Sequence, residues 1–135
     1  MRRLALVVTL FAAVAGPLRA EPDPQAIQGI ISSQIEAFLA EDADAAFAFA
    51  APNIKRRFGT PEVFGRMVRQ GYPMVWAPED LRYLELRRIA GTWYQKVLIT
   101  DDDGALHVLD YAMTETADGW RIAGVQILPA PEVGV

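Results

Sequence analysis

Few side chains in this sequence can do chemistry, and none of them forms a linear motif. There are no cysteines, which excludes disulfides and thiolate chemistry. The one histidine, His107, follows the run Asp101-Asp102-Asp103-Gly104. A lone imidazole cannot make a histidine-rich metal site, and no Ser/His/Asp set is readable around it. The three aspartates suggest a calcium loop, but they lack the alternating ligand spacing and the closing Glu. A solvated hairpin tip is the simpler reading. Lys55-Arg56-Arg57, with Arg66 and Arg69, is a basic cluster in an acidic chain. It could attract a small anion; a solvated helical surface balanced by nearby acids is the ordinary alternative. Asp110, set between Leu109 and Tyr111, and Gln95 remain. So do the aromatics Tyr72, Trp76, Tyr83, Trp93 and Tyr94, which could wall a ligand pocket, although core and connector packing also accounts for such residues.

The elements that must position these groups are a sheet and the helices before it. Leu81 to Leu128 reads as four strands, at about 81–89, 92–101, 105–116 and 120–128. The turns between them are Ala90-Gly91, Asp103-Gly104 and Asp118-Gly119. Asp-Gly between runs of Val, Ile, Leu, Tyr and Trp is a strong hairpin signal, because the turn needs positive φ at its central residues. Upstream, Asp23-Pro24 offers a cap and a proline at the first helical position. Ile27, Ile30, Ile31, Ile35, Phe38 and Leu39 then recur at helical spacing, which predicts a helix over 24–40. Asp44 can cap a short helix ended by Pro52, and Asn53 can cap one more turn ended by Gly59. Thr60-Pro61-Glu62 starts a helix that runs to Gly71, and 72–78 reads as a connector. The expected fold is α+β: helices packed on one face of a curved four-stranded antiparallel meander.

If each turn is a two-residue loop, the registers follow. Leu84 faces Val97, Leu86 faces Gln95, Val97 faces Asp110, and Asp110 faces Ile127. One face then carries Leu84, Leu86, Trp93, Gln95, Val97, Ile99, Val108, Asp110, Ala112, Val125 and Ile127, and the helices should cover it. The other face is mixed, with Glu85 opposite Lys96 as a cross-strand ion pair. Its Leu, Tyr and Met content is high for open solvent, so a second copy of the chain could cover it. In this register Asp110 is buried, and its pKa rises unless it is paired. One bulge would swap the faces and move it outward.

The chain has 135 residues, enough for one domain with one sizeable core, and 52% of them are apolar, which argues against disorder. Arg2-Arg3, an apolar stretch from Leu4 to Ala15, and Leu18-Arg19-Ala20 form a secretory signal pattern over residues 1–20. Twelve apolar residues are too few to span about 30 Å of hydrocarbon. Losing residues 1–20 removes three arginines and no acid, moving the net charge from −4 to −7. That sign argues against nucleic acid or an anionic membrane as a partner. The expected organisation is a signal peptide (1–20), one domain (21–129) and a loose tail (130–135), in an exported bacterial protein of the periplasm or extracellular space.

Phe49-Ala50-Ala51-Pro52-Asn53-Ile54-Lys55-Arg56-Arg57-Phe58-Gly59-Thr60-Pro61-Glu62, then Phe64, then Met67 through Trp76, resembles the DUF4864 family of exported bacterial proteins. Trp120 through Val125 is similar to that family's last strand. The resemblance covers nearly all of the chain after residue 20. It implies the NTF2-like (SnoaL-like, cystatin-like) helix-on-sheet plan and carries no activity with it. NTF2-like enzymes commonly enclose a cavity between helices and sheet, so the pocket-lining candidates are Asp110, Gln95, Trp93, Tyr72 and Trp76. No catalytic residue, cofactor or metal is assigned. The leading expectation is non-catalytic binding of a small ligand or protein partner. A cofactor-free isomerase, dehydratase or cyclase using Asp110 is the second reading, and a self-associating accessory protein the third.

Overall fold

The computed structural model describes residues 22–129. The expected signal segment and tail therefore lie outside the described residues. Five helices precede four strands: α1 (Pro24–Leu39), α2 (Ala43–Ala48), α3 (Pro52–Phe58), α4 (Pro61–Gly71), α5 (Pro73–Trp76), β1 (Asp80–Ile89), β2 (Thr92–Thr100), β3 (Leu106–Thr116) and β4 (Gly119–Leu128). The strands form one open antiparallel sheet in sequential order, with the helices against one face. No described helix is long and apolar enough to cross a membrane.

Local chemistry explains the helix boundaries. The Asp23 side chain accepts from the Gln25 amide, and Pro24 occupies the first helical position of α1. Glu41 takes a positive φ of 55° and reverses the chain, so Asp42, not Asp44, caps α2 by accepting from the Ala45 amide. Asn53 does not cap α3 either. Pro52 begins that helix, freeing the Asn53 side chain, and Gly59 ends it at φ +79°. Thr60 caps α4 through the Val63 amide, and Pro73 starts one further turn, α5, where the sequence suggested only a connector.

The apolar stripe of α1 buries Ile27, Ile31, Ile35 and Phe38 against the sheet. Phe38 also packs on Phe64 of α4 and Trp76 of α5, with centroids 5.9 and 5.5 Å apart. Truncating Phe38 to Ala would cost about 3–5 kcal/mol. α4 approaches α2 closely because Gly65 has no side chain: a Cβ there would lie 3.2 Å from that of Ala43.

The sheet departs from the expected registers in four places. The first hairpin has the two-residue turn expected, with positive φ at Ala90 (50°) and Gly91 (84°), and Leu86 pairs with Gln95. A bulge at Leu84-Glu85 then puts Tyr83, not Leu84, opposite Val97. Glu85 falls in that bulge, and no Glu85–Lys96 ion pair forms. The β2–β3 loop takes five residues, because Asp101 Oδ1 accepts from the amides of both Asp103 and Ala105 and holds the loop open. Val97 therefore pairs with Leu109, and Lys96 with Asp110. The last turn is Ala117-Asp118, one residue earlier than expected, with Thr116 opposite Gly119. A further irregularity at Ala112/Met113 makes Ala123 the extra residue, so Asp110 pairs with Gln126. The covered face is thus built from Gln95, Val97, Ile99, Leu109, Tyr111, Met113 and Ile122, all fully or nearly fully buried. Each loop residue gained or lost turns a strand over, because side chains alternate with a period of two.

Candidate functional site

Because β4 is an edge strand, its outer backbone groups need partners. The helical layer supplies them. The link between α2 and α3 runs parallel to β4: the Ile122 amide donates to Phe49 O, and the Ala51 amide donates to Ile122 O. The freed Asn53 side chain donates to Ala123 O at 2.9 Å, the carbonyl of the bulged residue. The Tyr72 hydroxyl reaches Val125 O at 3.3 Å. These tethers hold α3 and the end of α4 at the sheet edge, but they do not close the space between.

That space is a pocket of about 460 Å³, open to solvent on one side, between α1, α3, α4 and the bulged edge of β4. Its volume falls within the range of about 300–1,000 Å³ usual for small-molecule sites. The walls are mainly apolar: Phe38, Phe58 and Phe64 on one side, Ile122 and Val125 on the sheet, Met67 and Val68 on α4. Four polar side chains meet it, and three are already engaged. Gln34 Nε2 donates to Ala46 O at 3.1 Å, and Asn53 and Tyr72 hold β4. The fourth, Arg57, lies over the Phe58 ring at 5.7 Å and makes no ion pair among the described residues. No carboxylate and no imidazole lines the pocket among the described residues.

Of the five residues expected to line a pocket, Tyr72 does. Trp76 packs against α4 with its ring tilted by 38° to that of Phe38 and the Arg69 guanidinium over it, 5.7 Å from the ring centroid, and it does not line the pocket. Trp93 packs on the covered face beside Met113, away from the pocket. Gln95 is fully buried on the covered face, as expected, but it has a structural task. Its amide donates to Leu84 O at 3.0 Å and Lys96 O at 2.9 Å, so it satisfies carbonyls freed by the β1 bulge.

Asp110 requires a correction. It lies on the outer face of the sheet, not the helix-covered one, because the five-residue loop turned β3 over. It is still only 6% exposed. Arg87, also on the outer face, clamps it with two parallel 2.8 Å hydrogen bonds to the two carboxylate oxygens. The carboxylate in turn raises the guanidinium pKa above its already high value. Asp110 is therefore paired and separated from the pocket by the sheet.

The Asp101–His107 pair is a loop device. His107 Nε2 lies 2.7 Å from Asp101 Oδ2, while Oδ1 holds the loop amides. The imidazole, with the Ala105 amide after it, lowers the Asp101 pKa below the usual carboxylate value. The carboxylates of Asp101, Asp102 and Asp103 approach within 4.8 Å of one another, but Asp101 is already spent on these contacts. Tyr111 is wholly buried, and its hydroxyl has no partner among the described residues; burial pushes its pKa strongly up.

Sequence reasoning missed Gln34 and Asn53 as pocket residues and left Arg57 in a general basic surface. One signal was present: Gln34 is a polar residue inside the apolar stripe of α1, one turn from both Ile31 and Phe38. Arg57 and Asn53 could not be placed, since their roles depend on where α3 meets β4.

The fold is shared with a solved NTF-2 like protein of unknown function from Shewanella oneidensis MR-1. That structure is 15% identical, superposes with a TM-score of 0.50, and the match covers 76% of this chain and 96% of the other. No curated protein matches the chain. The family model described as a domain of unknown function, DUF4864, matches residues 20–135. With helices on one face of a four-stranded antiparallel sheet and that match over most of its length, the chain belongs to the DUF4864 family and has an NTF2-like α+β fold.

Proposed function

We propose that this protein binds a small, mostly apolar molecule in the pocket between α1, α3, α4 and β4, without transforming it. The observation that carries this reading is the pocket itself: about 460 Å³, walled by aromatic and aliphatic side chains. Proton transfer at neutral pH is carried most often by a carboxylate or imidazole within hydrogen-bond reach of the substrate, and the one tyrosine of the lining, Tyr72, already donates its hydroxyl to Val125 O. The lining offers neither carboxylate nor imidazole, and Asp110 is held by Arg87 on the opposite sheet face. Titration with Nile red, a neutral apolar dye, tests the reading. Wild type should give saturable fluorescence enhancement, and Met67→Trp, which fills the pocket from α4, should lose it while keeping its circular dichroism and melting transition. Equal enhancement by both proteins, or none by wild type, would refute it. A ligand at 100 times its Kd should add about 2.7 kcal/mol to folding stability.

A second reading, self-association through the outer sheet face, is favoured by one observation. Leu98, Val108 and Leu128 lie side by side there, and Leu84, 38% exposed, joins them in a shallow groove. Sedimentation of wild type against Leu98→Lys tests it; a wild-type monomer at high concentration excludes it. Export is also proposed, on the basic, apolar and small-residue pattern of residues 1–20. N-terminal sequencing of the protein from a periplasmic fraction would check the expected cut after Ala20.

A further inference from the structure

Resting on the pocket reading, we infer that the ligand is an amphiphile with an apolar body and one anionic end, a carboxylate, and that Arg57 receives that end. Three of the four polar side chains of the lining already have partners. The donor nitrogens of Gln34 and Asn53 and the Tyr72 hydroxyl are engaged by backbone carbonyls. Arg57 is the one charged side chain of the lining, and among the described residues no acid pairs with it. Its guanidinium is exposed and lies over the Phe58 ring, which is itself part of the pocket wall. A planar fork of donors therefore stands where an apolar chamber opens to water, and this geometry suits a carboxylate head with its tail inside.

The surrounding charge points the same way. The whole chain carries a net −4, yet α3 holds Lys55, Arg56 and Arg57 and no acid. The adjacent α4 adds Arg66 and Arg69 against Glu62. None of these cations is ion-paired among the described residues. A local positive field in an acidic protein draws anions to that site and repels cations from it. A neutral apolar ligand would gain nothing from this arrangement, and a cationic one would be disfavoured.

The test is calorimetric titration at low salt of three ten-carbon probes: decanoate below its micelle threshold, decanol and decyltrimethylammonium. The expected result is that decanoate binds about tenfold or more tighter than decanol, the size of one charge-assisted hydrogen bond at a half-open mouth, with decyltrimethylammonium weakest. Arg57→Gln should bring decanoate down to decanol, Arg57→Lys should keep part of the preference, and Met67→Trp should abolish binding of both. Arg57 is solvent-exposed, so both substitutions should leave folding intact, which circular dichroism verifies. If decanol matches decanoate, or if Arg57→Gln changes nothing, the anionic end is refuted while the apolar pocket stands. If neither decanoate nor decanol binds and Nile red does not either, the pocket reading fails and this inference with it. Undiminished decanoate binding by Met67→Trp would place the anion elsewhere and overturn the proposal.

Discussion

Gln95→Met should destabilise the protein by about 2–5 kcal/mol, with no effect on the pocket. Gln95 is completely buried at the centre of the sheet. Its amide nitrogen meets Leu84 O at 3.0 Å and Lys96 O at 2.9 Å; a third contact, to Glu85 O at 3.5 Å, is too long to count. Methionine keeps nearly the same length and volume, so the packing term stays small. What is lost is the donor, and two carbonyls are left without it. A buried acceptor left unpaired costs about 1–3 kcal/mol, so two cost about 2–6, and because both contacts are only part-buried the upper end comes down to about 5 kcal/mol. That is a large part of the stability of about 5–15 kcal/mol usual for a small domain. Urea unfolding followed by circular dichroism measures the change, and the midpoint should fall while the slope stays constant. The control is Gln28→Met, which removes only a 3.5 Å contact to Gln95 Oε1 and should cost little. A loss below about 0.5 kcal/mol for Gln95→Met would be within the range of an ordinary surface substitution, and the claim that this amide holds the β1 bulge would fail.

Three further outcomes are expected. A double-mutant cycle with Arg87→Met and Asp110→Asn should give a coupling of about 1–2 kcal/mol: the two-pronged pair would rank higher, but the Arg87 side chain is 24% exposed and water screens it. Ala90→Asn should raise stability by about 0.5–1 kcal/mol in thermal unfolding, because Ala90 holds a φ of 50° that asparagine tolerates better before Gly91. At high pH, absorbance at 295 nm should show Tyr83 and Tyr111 ionising later than free tyrosine, since burial raises both. Their folded values lie above the unfolded value of about 10, so the stability they contribute is complete below about pH 10 and is lost as pH rises through the folded values. Unfolding by alkali before either phenolate appears would contradict that order.

Element boundaries followed from rules that act within a few residues. Pro24, Pro61 and Gly59 sit at helix ends because proline fixes φ without needing its amide and glycine accepts a positive φ. The alternation of apolar residues marked four strands, and Ala90-Gly91 marked a tight turn that formed as expected. The alternation of β2 likewise put Gln95, Val97 and Ile99 on the covered face. Which residues of β3 joined them depended on long-range packing. Asp101 spent its carboxylate on loop amides and His107, the loop grew from two residues to five, and Asp110 moved to the outer face to meet Arg87. The pocket depended on the same kind of event, since the β4 bulge at Ala123 and the docking of α3 through Asn53 set its walls. The difference is one of scale. Caps and turns are set within a few residues, whereas a strand's outward face depends on the parity of every loop and bulge before it, and on side chains more than fifty residues away that satisfy the edge it leaves open.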